Sequence, residues 1–303
     1  MSMLIAVEPG GSATGGSGTS DEVVHRLLAA SHAERLCPAL DVADFEGLLA
    51  REASIRRVEH AFVEAERVAV APLLRACPSE ATRFVHWFEA LKETGPGQHD
   101  ALFPWLAESA SYQQMCWFLQ QELAGEAGFD DLVALTQVKL PNRPKLEMAR
   151  NYWDEMGQGH EAGMHGPLLV GLSQALDLKP GVDTVWEALA LGNLMVALAT
   201  TRHYSYQSVG ALGAIELTAP GRSQLVNAGL KRLGIGGAAR RYYALHATLD
   251  VRHSATWNRE VLEPLVASNP AIALRIAEGA LLRLRAGQRC FERYRRELWA
   301  SSC

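Results

Sequence analysis

The chain of 303 residues has the length of one large domain. Hydrophobic residues make up 48% of it and charged residues 21%, a composition typical of globular proteins that excludes a disordered chain. The 29 basic and 34 acidic side chains leave a net charge of −5, so we expect no nucleic-acid partner and no surface devoted to anionic lipid.

Five cysteines are scattered along the chain and form no Cys-x-x-Cys pair, which is typical of reduced thiols in the cytoplasm. The N-terminus lacks the basic start of a secretory signal. The most apolar stretch, 188–200, is too short to span a bilayer, so we predict a cytoplasmic protein without a membrane partner.

Residues 1–20 contain a Gly/Ser/Thr-rich run and are predicted to form a flexible N-terminal tail. From residue 21 onward apolar residues recur at helical spacing, and the alternation typical of strands is missing. We therefore predict an all-α fold with a single helical domain over 21–303. The predicted helices span 21–35, 42–75, 79–93, 108–126, 129–138, 145–175, 182–217, 221–233, 237–266 and 269–298.

Proline and glycine clusters predict where these helices end. Two of the clusters bear on the site described below. Pro220-Gly221 predicts a break after residue 217, and Gly157, Gly159 and Gly163 allow a break inside 145–175.

A His-x3-Asp-x2-His pattern, formed by His246, Asp250 and His253, is the sharpest chemical signal. Offsets of four and seven residues place the three side chains on one helix face, within an arc of roughly 60°. The two histidines are about 10.5 Å apart along a straight helix, which is long for one ion. The spacing suits two ions, each bound by one histidine, with Asp250 reaching either ion or bridging both. The alternative is a solvated face, or core histidines whose hydrogen bonds are met by the backbone and by Asp250.

Carboxylates on other predicted helices favour the metal interpretation. Glu216 closes a nearly uncharged run, 205–217, where an unpaired carboxylate would be costly. Glu155 precedes His165 by ten residues, which is about 15 Å of straight helix, so joint ligation requires the glycine break. His160 competes with His165 for this role. Oxygen ligands mixed with imidazole suit iron or manganese, and helical bundles build dimetal centres in this way.

Glu122 lies on an amphipathic segment and is a further carboxylate candidate, with the alternative that it is a surface residue and Glu126 its solvated neighbour. His25 and His32 have no partner pattern and are predicted to lie on the surface. Asn151 and Asp154 are predicted to hold ligand side chains in place. Four apolar residues are predicted to form a dry pocket around the site: Trp153, Leu168, Leu249 and Trp257.

Three segments together resemble one family: Asn151–Gly157 with His165, Gly210–Arg222, and the triplet on residues 246–253. The chain is similar over about 84–292 to the haem-oxygenase-like diiron oxidases and oxygenases, often labelled iron-containing redox enzymes. The resemblance implies a haem-oxygenase-like bundle, here with additional N-terminal helices. It also implies seven metal ligands: Glu155, His165 and His253 for a first iron, Glu216, His246 and Asp250 for a second, and Glu122 as an extra carboxylate.

The resemblance further implies two iron ions, O2 as co-substrate and an external reductant. The implied substrate is a small amine, amino acid or carboxylic acid, which undergoes N-oxygenation, oxidative decarboxylation or carbon–carbon cleavage. Substrates of the family commonly carry a carboxylate, which makes Arg202 and Arg222 candidates for substrate binding, with a surface role as the alternative for each. A homodimer and a separate electron donor are compatible with this interpretation.

Two alternatives are a metal-storage bundle and a metal-free protein of the same superfold with an interaction or thiaminase-like role. Storage bundles of the ferritin type carry two Glu-x-x-His pairs, whereas this chain has one, Glu22 to His25. A thiaminase-like hydrolase needs a nucleophilic cysteine. Cys116 is the only thiol near the motifs, and it has no adjacent base.

Overall fold

The computed structural model describes residues 20–126, 128–179, 181 and 183–300. α-Helices account for most of these residues and no β-sheet occurs among them, which confirms the predicted all-α class. The predicted N-terminal tail lies outside the described residues except for Ser20. The helices are α1 Ser20–Leu36, α2 Phe45–Val70, α3 Ala81–Thr94, α4 Leu102–Glu108, α5 Tyr112–Gly125, α6 Phe129–Thr136, α7 Asn142–Glu155, α8 His165–Ala175, α9 Trp186–Thr200, α10 Ser205–Arg232, α11 Arg241–Trp257, α12 Glu263–Ser268 and α13 Ala271–Ala300.

Helices α9 and α10 form the centre of the bundle. Nearly every side chain of α9 is buried, because α1, α5, α6 and α13 pack around it. α10 packs against α13, α11 and α4. None of the described helices has the length and apolarity that a bilayer crossing requires.

Two glycines allow α10 and α13 to approach closely. A Cβ atom on Gly279 would lie 1.8 Å from the carbonyl oxygen of Gln207, and one on Gly210 would lie 1.9 Å from that of Ile276. Any larger residue at either position would push the two backbones apart. This contact fixes α10, the helix that carries Glu216, against the longest helix of the bundle.

The single helix predicted over 182–217 is divided in the structure between α9 and α10. The chain breaks at Thr201, whose backbone is extended, and passes through a short 3-10 turn at Arg202–Tyr204. α10 then continues through Pro220, so the predicted break at Pro220-Gly221 is wrong. Proline removes one backbone donor, but packing of α10 against several helices outweighs that loss.

Helix α11 also departs from the predicted continuous helix over 237–266. It ends at Trp257, and one π-helical turn at Asn258–Leu262 connects it to α12. Such a turn inserts an extra residue into the helix and is frequent near functional sites. The short helix α4, at Leu102–Glu108, largely precedes the predicted 108–126 helix.

The N-terminal helices α1 and α2 pack against α9 through a buried polar network. His25 and His32, predicted to lie on the surface, are both buried, so this prediction is wrong. His32 Nε2 lies 2.7 Å from Glu59 Oε2, and His32 Nδ1 lies 3.1 Å from Asn193 Oδ1. These partners lie far along the chain, so no local spacing could indicate them.

Candidate metal centre

The loop between α7 and α8 brings Glu155 beside His165. Gly157 and Gly159 have φ values of 60° and 86°, and a Cβ on Gly157 would lie 2.5 Å from the carbonyl carbon of Gly163. Glycine therefore permits the tight fold-back, which confirms the predicted break. His165 Nδ1 lies 3.0 Å from Glu155 Oε2, and both side chains are buried.

Helix α11 presents His246, Asp250 and His253 on one buried face, as their spacing predicts. His246 Nε2 lies 3.6 Å from Glu155 Oε2. His253 Nδ1 lies 3.8 Å from the other carboxylate oxygen, Glu155 Oε1. Glu155 therefore lies between the two histidines, with one oxygen towards each.

Glu216 of α10 completes the buried carboxylates. It is only 1% exposed, although residues 205–217 contain no lysine or arginine that could pair with it. Asn151 donates a hydrogen bond of 2.5 Å to Glu216 Oε1, and His253 Nδ1 lies 3.5 Å from Glu216 Oε2. The predicted contact of Asn151 with a ligand candidate is confirmed.

Outer hydrogen bonds orient the two imidazoles of α11. His246 Nδ1 donates to the carbonyl oxygen of Tyr242 at 2.8 Å, and His253 Nε2 donates to Asp154 Oδ2 at 3.1 Å. The contact predicted for Asp154 is thereby confirmed. The remaining ring nitrogens, His246 Nε2 and His253 Nδ1, are buried without a hydrogen-bond partner, as is Asp250 Oδ1. Three unpartnered donor atoms with lone pairs fit a metal ion, since buried polar atoms are otherwise costly.

The charges of the site are strongly coupled. Burial, together with the nearby Glu216 and Glu155 carboxylates, raises the pKa of Asp250 to about 10. Burial alone would lower the pKa of His253, but Glu216 and Asp154 raise it to about 9. Burial opposes the charge of Glu155 too, yet the hydrogen bond from His165 and the nearby His246 imidazole hold the pKa of this carboxyl far below its ordinary value. Asp250 and His253 therefore retain their protons. A metal cation that binds these side chains would displace those protons.

The donor atoms form two groups that share Glu155. In each group, the atoms that Glu155 and its two neighbours offer lie within 4.8 Å of one another: His165 and His246 in one group, Asp250 and His253 in the other. The resemblance implied a different division, with His253 beside His165 and His246 beside Asp250. His246 and His253 are two turns apart on α11, so each reaches a different oxygen of Glu155.

Glu126, rather than Glu122, approaches the imidazoles. Glu126 Oε1 lies 3.6 Å from His165 Nε2 and accepts the backbone N–H groups of Gly128 and Phe129. In the alternative interpretation of this segment, Glu122 is a surface residue and Glu126 its solvated neighbour, whereas Glu126 approaches a buried imidazole. The signal that could have found it is its position one turn after Glu122, at the end of an amphipathic helix.

Glu122 faces a basic region instead. Burial raises the pKa of the Glu122 carboxyl, whereas the guanidinium groups of Arg283 and Arg222 oppose that shift. None of the described three-residue groups able to hold a metal includes Glu122.

We call the buried carboxylates and imidazoles around Glu155 the metal-type cluster. A cavity of about 140 Å³ is lined both by residues of this cluster and by the arginines near Glu122. Glu155, Glu216 and His246 line this cavity, and so do Arg222 and Arg283. Its apolar walls come from other residues than the four predicted, since Trp153 is 54% exposed and Leu168, Leu249 and Trp257 do not line the cavity. The apolar lining includes Phe103, Phe118, Phe129, Leu169, Met195 and Ile215.

The two arginines proposed for substrate binding lie in different places. Arg222 lines the cavity. Arg202 is exposed and donates hydrogen bonds to the carbonyl oxygens of Leu135 and Val138, at the end of α6. It does not line the cavity, and its contacts stabilise the break between α9 and α10.

Cys116, the thiol on which a thiaminase-like activity would depend, does not line the cavity either. Burial raises the pKa of this thiol, which disfavours the nucleophilic thiolate. The observed environment therefore gives no support to that alternative.

An all-helical bundle with a buried cluster of carboxylates and imidazoles has the architecture of a metal-dependent redox protein. A family model described as iron-containing redox enzyme matches residues 116–288, which is more than half of the chain. The chain belongs to this family, and the resemblance and the haem-oxygenase-like fold are confirmed. Helices α1 to α4 precede the matched segment. A search of the curated proteins gives no match.

Proposed function

We propose that this iron-containing redox enzyme is a non-haem diiron oxidase or oxygenase that uses O2 to oxidise a small amine, amino acid or carboxylic acid. One observation carries the proposal. The two carboxylate oxygens of Glu155 face two separate sets of buried donor atoms, three of which have no hydrogen-bond partner. Membership of the family supports iron as the metal.

In this proposal Glu155, His165 and His246 hold one iron, with Glu126 beside His165 as an additional carboxylate. Glu155, Asp250 and His253 hold the second iron, with Glu216 as a further ligand. Two irons bound there would supply electrons for the reduction of O2 and the oxidising power that acts on the substrate. The ligand types are hard oxygen and imidazole, which suit iron better than thiolate-binding metals.

Neighbouring residues orient the side chains proposed to bind the metal. The Tyr242 carbonyl fixes His246 so that Nε2 carries the lone pair. Asp154 holds His253 Nε2, which leaves Nδ1 as the nitrogen that would bind a metal once it gives up its proton. Asn151 holds one oxygen of Glu216 and leaves the other towards His253. The aromatic and aliphatic walls of the cavity exclude water from bound substrate.

An external reductant belongs to the proposal because oxidised iron must be reduced between turnovers. The cytoplasmic location, the homodimer and the electron-donor partner stay predictions.

Anaerobic titration with Fe(II) tests the metal site. We expect two irons per chain, measured by equilibrium dialysis and iron analysis, and a loss of iron in His246→Ala. His160→Ala is the matched control, because His160 is an exposed histidine of the loop before α8. One iron or none in the wild-type chain, or a full complement in His246→Ala, would contradict the proposal.

Oxygen consumption separates an oxidase from a storage protein. With iron and a chemical reductant, we expect continuous O2 uptake in an electrode cell at more than one O2 per chain. Uptake that stops once the bound iron is oxidised, and does not resume with reductant, would favour the metal-storage alternative.

A further inference from the structure

A second, larger cavity lies on the outer side of α10. It is a groove of about 620 Å³ between the α3–α4 region and the outer faces of α10 and α11. Among the described residues, only Phe103 and Arg222 line both this groove and the inner cavity.

Helix α10 is the wall between the two cavities. Glu216 and Ala219 line the inner cavity, whereas Thr218 and Gly221 line the groove. Arg222 lies on the border between these two helix faces, because its position follows one turn after both Thr218 and Ala219. Its side chain and the ring of Phe103, from α4, therefore form a partition.

The Arg222 guanidinium is held by neutral groups. Its Nη2 donates to Thr218 Oγ1 at 2.7 Å, and its central carbon lies 5.9 Å and 5.5 Å from the ring centres of Phe103 and Phe291. Arg222 forms no ion pair with any carboxylate of the described chain. Cation–π contacts position the group but do not neutralise its charge.

Arg283, from α13, adds a second positive charge on the inner side. It lines the inner cavity, its Nε atom is buried without a hydrogen-bond partner, and it too forms no ion pair within the described residues. Glu122 is the carboxylate whose charge acts on both arginines, so this part of the cavity combines two guanidinium groups with one acid. An anion would satisfy guanidinium donors that are costly to leave unpaired.

The carboxylates of the groove are already engaged by neighbouring groups, so they do not compete for Arg222. The pairs are Glu89 with Asn258, Glu93 with His99, and Asp100 with Arg295.

The volumes of the two cavities limit the size of the molecule that each can hold. A cavity of about 150 Å³ accepts a molecule the size of benzene, so the inner cavity of about 140 Å³ admits only a small group. The groove has the volume of an ordinary small-molecule site.

We propose that the groove is the entrance for the substrate, and that Arg222 and Arg283 bind its anionic group at the Phe103 partition, which selects small organic anions. The inference rests on the proposed function, since the metal-type cluster and these arginines line the same inner cavity. In this inference Arg222 determines the preference for anions, and Phe103 controls access to the inner cavity.

Charge selection is tested with two probes, 4,4,4-trifluorobutyrate and its neutral primary amide. Fluorine NMR measures the binding of each probe to the chain titrated with Fe(II) under anaerobic conditions. We expect the acid to bind at least tenfold more tightly than the amide. Arg222→Gln should remove this preference, and Arg222→Lys should keep part of it. Arg202→Gln is the control, because Arg202 is an exposed arginine outside both cavities. Equal binding of acid and amide to the wild-type chain, or wild-type binding by Arg222→Gln, would overturn charge selection.

The route is tested by blocking the groove. Ala255 is exposed and lines the groove, whereas Ala244 is exposed on the same helix and lines neither cavity. Each is changed to cysteine in a chain whose other accessible cysteines are serine, and is labelled with a bulky maleimide. We expect the label at 255 to slow association of the acid at least tenfold, and the label at 244 to have no effect. Association at the wild-type rate with the label at 255 would overturn the route.

Phe103→Ala tests the partition independently. We expect it to admit 3-phenylpropionate, which the wild-type chain excludes, with the preference for acid over amide unchanged. Equal binding of 3-phenylpropionate by the wild-type chain would overturn the size limit.

The iron content of each sample distinguishes the two proposals. A wild-type chain that prefers the acid but binds no iron would sustain this inference and refute the diiron function. Two irons per chain with no preference for the acid would do the reverse.

Discussion

Glu155 is the side chain on which the proposed centre depends, because it is the one described residue that belongs to both groups of donor atoms. Its neighbours differ in how they reach it. His246, Asp250 and His253 share a helix face, so their local spacing predicts their convergence. Glu126 follows α5 and Glu216 belongs to α10, and only packing brings them near.

At the residue scale, Glu122 of α5 and Glu126, the residue that follows this helix, should differ in their effect on iron binding. We expect Glu126→Gln to weaken Fe(II) binding about tenfold or more, because Glu126 Oε1 lies 3.6 Å from His165 Nε2. Gln retains an oxygen for the backbone N–H groups that Glu126 accepts, so the fold should persist. Glu122→Gln, one turn away, is the control and should bind iron as the wild type does. Competition with a chromogenic chelator measures both; equal affinities of the two variants would remove Glu126 from the site.

Asp154 should act on iron through His253. Asp154→Asn weakens the hydrogen bond that orients His253, and the loss of such outer partners costs about 10–100-fold in metal affinity. Asp131→Asn is the control, because Asp131 is exposed and does not contact the site. The same chelator competition reports the result, and an unchanged affinity in Asp154→Asn would show that His253 needs no such partner.

At the element scale, the close contact of α10 with α13 makes Gly279 intolerant of substitution. A Cβ there would meet backbone, which cannot move as a side-chain end can, so we expect Gly279→Ala to reduce the free energy of unfolding by about 3 kcal/mol. Gly171→Ala in α8 is the control, since no atom lies within 4 Å of the added Cβ. It should instead stabilise the helix by about 0.5–1 kcal/mol. Urea unfolding followed by circular dichroism measures both, and equal midpoints would contradict the packing argument.

Helix type was more predictable than helix ends. Apolar spacing predicts α1, α3, α5 and α13 within a few residues, because the spacing reflects which face is buried. The ends near Thr201 and Pro220 depend on competition between local breakers and packing. Thr201 carries no breaker signal, yet the chain turns there because Arg202 bonds to the end of α6.

At the scale of the whole molecule, the N-terminal helices should make stability depend on pH. Burial between Phe62 and Trp186, with a further contribution from Arg289, lowers the pKa of His25 to about 4, although Asp21 acts in the opposite direction. The unfolded chain takes up a proton near its ordinary value of about 6.5, so stability is full above that pH and falls between 6.5 and 4. We expect a loss of about 2 kcal/mol between pH 6.5 and 5.

His25→Phe should flatten this part of the stability profile, because phenylalanine keeps the ring packing and cannot be protonated. His86→Phe is the control, since His86 is exposed and should leave the slope as in the wild type. Urea unfolding at several pH values measures the slope. A slope in His25→Phe as steep as in the wild type would show that another group is responsible.

The sequence alone predicts the helical class, the shared face of His246, Asp250 and His253, and the need for a break between Glu155 and His165. Each of these follows from spacing within one segment, since 3.6 residues per turn and glycine geometry act locally. Three features are visible only in the folded chain: Glu126 approaches His165 while Glu122 faces arginines, Arg222 lines the cavity while Arg202 does not, and His32 pairs with Glu59. The reason is physical: these outcomes depend on the relative rotation of helices far apart in the chain, which packing sets and local spacing does not encode.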